Sequence, residues 1–190
     1  CSLSRSSASR TRASALLDLA ADFKQLVSTI VSKAPDAQVL TDIDSAYGWA
    51  ASHGGDGKRR GITGFCWGGR MVWLYAAHSA ELDAGVAFYG RLVSDKTALQ
   101  PLSAVEQAGA LKAPVLGQYG ALDKGIPLGD VEAMRAALQK AGKSPPDAIT
   151  VYGQADHGFM ADYRPSYNEE AARKAWAATL DWFGRYVKGG

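Results

Sequence analysis

Cysteine is scarce in this chain of 190 residues: two are present, Cys1 and Cys66. Two cysteines so far apart build no disulfide framework, so Cys66 reads as a free thiol in a reducing compartment, and the cytoplasm is the expected location. Excess charge of either sign is also lacking. The net charge is +2 with 21% charged residues, so no polyelectrolyte patch points to nucleic acid or to a membrane surface. No long uncharged apolar run occurs, and a transmembrane helix is not expected. Histidine is limited to three positions, His53, His78 and His157. They form no metal-ligand spacing, and no glycine-rich phosphate loop accompanies them, so no cofactor or metal is implied. Acidic residues are missing from residues 1–17, which are rich in Ser and Arg. That composition resembles a targeting segment, but no secretory apolar core follows it. Residues 1–35 are therefore read as a leader, partly helical or disordered, and residues 36–190 as one globular domain.

What is present begins with strands and helices in alternation. Residues 14–33 carry Leu16, Leu17, Leu19, Phe23, Leu26, Val27, Ile30 and Val31 at helical spacing, although Leu26 to Val31 also fits a strand. Pro35 ends that segment. Asp36 to Ser52 predicts a helix with Val39, Leu40, Ile43, Tyr47 and Ala50 on one face, stopped by Gly54-Gly55. Strands are expected at 60–65, 84–89, 114–119 and 148–152, the second and third of them buried. Helices are expected from Trp67 to Ser79 and from Leu128 to Ala141, and a possible helical turn within Ser94–Ala113. Ser166-Tyr-Asn-Glu169 has the form of a capping box opening a last helix, with Ala172, Trp176, Leu180, Phe183 and Val187 as its inward stripe. The alternation argues an α/β fold, a mostly parallel sheet covered on both faces, with reactive groups in the loops beyond the strands' carboxyl ends.

Three of those loops carry chemistry. The first reads Gly64-Phe-Cys66-Trp-Gly68, a nucleophile between glycines on a sharp strand-to-helix turn, where a side chain at either glycine would crowd the neighbouring elements. A helix N-terminus there favours a thiolate. The second reads Gly120-Ala-Leu-Asp123, and the third Asp156-His157-Gly-Phe159. A lone Cys in an apolar stretch is by default a small buried hydrophobe, a loop Asp a turn former, and a single His a surface group. Nucleophile, acid and histidine in this order, each just past a different strand, outweigh those readings. Cys66 is then the nucleophile, His157 its base and Asp123 the group that orients the imidazole. The Trp67 N–H is the candidate oxyanion donor. Asp156, His53 and His78 are assigned structural roles. Arg70, Arg91 and Arg164 are candidate anion contacts, with a solvated surface role as the plainer alternative for each.

With Phe88-Tyr89-Gly90 and Pro127 added to these three motifs, the sequence from about residue 36 to residue 187 resembles the dienelactone hydrolase family of α/β-hydrolases. The resemblance implies a three-layer α/β-hydrolase sandwich and a Cys66–His157–Asp123 triad that opens lactones or esters, a dienelactone giving maleylacetate being the type reaction. It also implies a pocket near Tyr89 and Phe159, and an arginine shortly after the His motif. Ala161 stands near that place and Arg164 is the nearest replacement; the expected small-molecule partner is a lactone or ester, anionic if Arg164 takes over that arginine's part. The family's early strands have no counterpart in residues 1–35. They carry a second oxyanion donor, a glutamate and an arginine. A chain without them is expected to be monomeric or to self-associate through an exposed sheet edge, and the alternative to catalysis is a partial domain that acts by binding. A thiol redox role is disfavoured, because no resolving cysteine lies near Cys66.

Overall fold

The computed structural model describes residues 23–143 and 148–187. The chain divides into two compact units, Cys1–Pro35 and Asp36–Gly190. In the first, the described elements are helix α1 (Phe23–Thr29) and a 3-10 turn at Val31–Lys33. The helix expected over 14–33 is thus helical in part of its described stretch. Its Leu16, Leu17 and Leu19, and the leader up to residue 22, lie outside the described residues. Val27 and Ile30, expected on the apolar face, are exposed.

The second unit runs α2 (Asp36–Ser52), β1 (Gly61–Phe65), α3 (Trp67–His78), β2 (Ala84–Phe88), a 3-10 helix (Ala104–Ala110), β3 (Val115–Gly120), α4 (Leu128–Lys140), β4 (Ile149–Tyr152) and α5 (Glu169–Tyr186). The strands form a parallel sheet in the order β1-β2-β3-β4. Because spatial order follows chain order, every right-handed crossover returns on the same side of the sheet. Accordingly α3 packs on β1 and β2, with α2 and the 3-10 helix against α3, and α4 against the 3-10 helix. The helix after β4 is free to take the other face, and α5 packs there on β2 and β3. β2 and β3 are buried throughout, which their continuous apolar runs require. β1 lies at the edge, paired with β2 among the described residues, and Gly61, Thr63 and Phe65 are exposed along it.

Helix α5 departs from its expected stripe. Trp176 and Leu180 are 50% and 58% exposed, while Ala171, Ala175, Thr179 and Trp182 are buried beside Ala172. The cause is a polar residue on β3. Buried Gln118 donates from Nε2 to the Ala175 carbonyl at 3.1 Å and to Thr179 Oγ1 at 3.0 Å, and its Oε1 accepts from the Tyr152 hydroxyl at 2.7 Å. The alanine face lets the helix backbone come close enough for those bonds, and leaving Gln118 unpaired would cost about 1–3 kcal/mol. The start of α5 differs as well. Its cap is Asn168, not Ser166. Asn168 accepts from the Ala171 N–H at 3.0 Å and donates to the Gln154 carbonyl at 2.9 Å, a pair of bonds that one amide can make together and that ties α5 to the loop after β4.

Candidate active site

The strand register decides where the loops emerge. Phe65 pairs with Phe88, Phe88 with Gln118, and Gly120 with Tyr152. Parallel strands ending together put the loops after β1, β3 and β4 at one end of the sheet.

The turn after β1 holds Cys66 at φ +53°, ψ −119°, a strained conformation for a side-chain-bearing residue. Its N–H is tied to the Phe88 carbonyl at 3.1 Å and its own carbonyl accepts from the Arg70 N–H at 3.2 Å. The bare flanks expected of the turn are partly elsewhere. A Cβ at Gly64 would lie 2.3 Å from the Gly68 carbonyl oxygen, but one at Gly68 would meet open space. The tight contact on the helix side is Gly69 against Gly90, where a Cβ on Gly69 would fall 2.6 Å from the Phe88 carbonyl oxygen and 2.9 Å from Gly90 Cα. Trp67 is the first residue of α3. Its N–H is one of the first-turn amides that no helical carbonyl reaches.

The loop after β3 buries Asp123, which is 5% exposed. Its Oδ1 accepts from the Gly125 and Ile126 N–H groups at 2.8 and 3.2 Å, leaving Oδ2 for His157 Nδ1 at 2.7 Å. From the loop after β4, His157 Nε2 reaches Cys66 Sγ at 3.1 Å. Cys66, His157 and Asp123 therefore stand in one hydrogen-bonded row, although 91 and 34 positions separate the partners in sequence. The bond to Asp123 first, then the bond to Cys66, raises the imidazole pKa to about 10 against the opposing effect of burial. Asp156 is exposed and accepts from the His157 N–H at 2.6 Å, shaping the loop.

Tyr89 and Phe159 pack behind this row. The Tyr89 ring lies 5.1 Å from the His157 ring and 5.3 Å from the Phe159 ring. Both side chains are almost wholly buried, at 2% and 0% exposure, so in this structure they brace the imidazole and offer little open surface to a ligand. Tyr89 sits at φ +37°, and burial raises its pKa well above the usual phenol value. Arg164 reaches the backbone beside His157, its Nη1 3.4 Å from where a Gly158 Cβ would be, and its guanidinium lies over the Tyr163 ring. Arg91 is exposed. Arg70 is neither an anion contact nor a surface group. It is 3% exposed and bonded to Asp36. Sequence reasoning missed that pair and Gln118. The available signal was the same for both Arg70 and Gln118, a strongly polar residue inside an otherwise apolar run. His78 bonds to Asp44 on α2 at 2.9 Å, and His53 to the Trp49 carbonyl at 2.8 Å, both on the exposed side of the helices. Among the described residues no group of three His, Cys, Asp or Glu could hold a metal ion, and no helix is long and apolar enough to cross a membrane.

Comparison with known proteins gives the same family that the motifs resemble. The sequence pattern of the dienelactone hydrolase family matches residues 14–187, reaching further upstream than residue 36. A Methylorubrum extorquens protein assigned by name as a carboxymethylenebutenolidase is 52% identical over 166 residues, which is 87% of this chain and 56% of that protein. An Escherichia coli K12 protein of the same assigned name is 49% identical over 166 residues and is covered to 60%. The chain thus spans somewhat more than half the length of these relatives. A Klebsiella pneumoniae crystal structure, assigned as a dienelactone hydrolase, shares 53% identity at a TM-score of 0.83, with 87% of this chain and 68% of that one covered. Its fold is that of the α/β-hydrolases, and the chain belongs to the dienelactone hydrolase family.

Proposed function

We propose that this chain hydrolyses a lactone or carboxylic ester through a thioester on Cys66. The observation that carries the reading is the unbroken row from Cys66 Sγ to His157 Nε2 at 3.1 Å and from His157 Nδ1 to Asp123 Oδ2 at 2.7 Å. Asp123 holds the Nδ1 proton, which leaves Nε2 facing the thiol. The raised imidazole pKa of about 10 means that the thiol proton already rests on Nε2, so Sγ attacks the carbonyl carbon as a thiolate while the carbonyl electron pair moves to oxygen. The Trp67 N–H donates to that oxygen, a contact worth on the order of 3 kcal/mol where charge develops. The C–O bond then breaks, and the leaving alkoxide or enolate takes the proton from the imidazolium. Water, deprotonated by His157, attacks the thioester, and the thiolate departs from the acid product. Arg164, beside His157, is the residue proposed to meet an anionic group on the substrate. Supporting the substrate class, the relatives above are named as lactone hydrolases, and a Bradyrhizobium protein named as a lactonase of a furanylidene propanoate is 31% identical over 156 residues.

A burst of p-nitrophenol from p-nitrophenyl acetate, stoichiometric with enzyme and abolished in Cys66→Ala, is the expected result. Unchanged hydrolysis in Cys66→Ala would overturn the assignment. A second reading, a domain that binds or self-associates without catalysis, draws on the edge of β1 that has no partner strand among the described residues and on the exposed Phe65 there. A dimer in gel filtration with no burst is its signature.

A further inference from the structure

The first turn of α3 carries a charge that the chemistry above does not use. Arg70 and Asp36 are 3% and 1% exposed. The guanidinium meets the carboxylate as a fork, Nη1 to Oδ1 at 2.7 Å and Nη2 to Oδ2 at 2.9 Å, and Nη2 also donates to the Leu102 carbonyl at 2.6 Å. Asp36 opens α2, its own N–H bonded to the Leu99 carbonyl at 2.9 Å. Three segments, the start of α2, residues 99–102 and the first turn of α3, are thus joined through one guanidinium. Its Nε is buried with no partner among the described residues, so the two Nη groups alone set its orientation.

Stability does not explain this arrangement. Two buried charges gain little over a well-packed apolar pair of the same volume, and a geometric role is the better-attested use of such a pair. Here the geometry has a definite object. The Arg70 N–H closes the turn onto the Cys66 carbonyl, and Gly69 is pressed on Gly90 with no side chain between to absorb a shift. Any rotation of this turn would move the Trp67 N–H relative to Cys66. We infer that Arg70, held by Asp36, is a positioning residue that aims the Trp67 N–H at the oxyanion formed during acyl transfer. The inference rests on the proposed Cys66 chemistry. An ammonium at this position keeps the charge but loses the planar fork, so lysine is not a conservative replacement.

The test separates acyl transfer, which forms an oxyanion, from alkylation of Cys66 by iodoacetamide, which does not. Arg70→Lys is expected to lower kcat for p-nitrophenyl acetate by at least about 10-fold, since a misplacement near 1 Å can cost about 100-fold. KM and the alkylation rate should stay near those of the wild type. Asp36→Leu combined with Arg70→Met keeps an apolar filling in the same space, and should melt cooperatively while showing the same split. Hydrolysis at the wild-type rate in a folded variant overturns the inference, and so does a parallel fall of hydrolysis and alkylation, which marks general loosening of the turn. If Cys66→Ala hydrolyses the ester as fast as the wild type, the nucleophile assignment fails first and this inference with it.

Discussion

Replacing Asp123 by Asn changes one atom of the carboxylate and tests the direction of every proton in the row. Two backbone N–H groups, those of Gly125 and Ile126, point at Oδ1. An Asn side chain must keep its oxygen there, because turning its NH₂ toward two donors would leave both without this acceptor, and the buried Ile126 N–H alone would cost about 1–3 kcal/mol. The NH₂ is therefore forced to face His157 Nδ1 across the former 2.7 Å bond. An NH₂ can only donate, so Nδ1 must become the acceptor and the imidazole proton moves to Nε2, facing Cys66 Sγ. That tautomer cannot take the thiol proton. The rate loss should be on the order of 10²- to 10⁴-fold, the contribution of a positioned base. The fold should survive, since both loop bonds to Oδ1 persist. Weakening the bond to Asp123, the main reason the imidazole pKa is raised, should also bring it down from about 10. Steady-state hydrolysis of p-nitrophenyl acetate, with an NMR titration of His157, reads both effects. A folded Asp123→Asn protein within threefold of the wild-type kcat would refute the reasoning. If Asp156→Asn alone were inactive, the acid would be Asp156.

Other outcomes follow from the same geometry. Gly69→Ala places a methyl 2.6 Å from a backbone carbonyl oxygen, whereas Gly68→Ala meets open space; overpacking costs about 1–3 kcal/mol, so the first variant should melt several degrees lower and the second close to wild type. His157 has a folded pKa near 10 against an ordinary value of 6.5, so the stability its imidazolium adds is complete below about pH 6.5 and is lost as pH rises toward 10. Melting temperature measured across that window should fall with pH, and His157→Gln should flatten the slope. On α5, Ala175→Leu should unfold or strongly destabilise the unit, while Trp176→Gln should change stability by no more than about 0.5 kcal/mol, because Ala175 is buried on the sheet and Trp176 is half exposed. The reverse ranking, read by thermal melting, would restore the stripe expected from periodicity.

The four strands were legible to within one residue at their ends: β2 and β3 as continuous runs buried throughout, β1 and β4, which are only partly buried, as short stretches without a helical stripe beside a glycine turn. The order of Cys66, Asp123 and His157 was legible for a related reason: parallel strands carry their following loops to one end of the sheet. What the sequence hid was the partner of each buried polar group. Trp176 and Leu180 promised an inward stripe on α5, but Gln118 on β3 turned the Ala175–Thr179 face to the sheet. Ser166 matched a capping pattern, yet Asn168 could bond to both the helix and the β4 loop. Arg70 read as a surface or ligand-binding charge because Asp36, its partner, lies 34 positions away. The contact of Gly69 with Gly90 was hidden in the same way, since a close approach depends on what stands opposite.

The claim at the centre of this account is that acyl transfer passes through Cys66. Quenching the protein in acid during turnover of p-nitrophenyl acetate, followed by peptide mass spectrometry, reads it directly. The account predicts one acetyl group, on the peptide holding Cys66, as a thioester that hydroxylamine removes, and its accumulation in His157→Gln if deacylation is slowed more than acylation. Turnover with acetyl on Ser or Lys in place of Cys66, or with no acyl-enzyme in a protein whose Cys66→Ala variant is equally active, would contradict it.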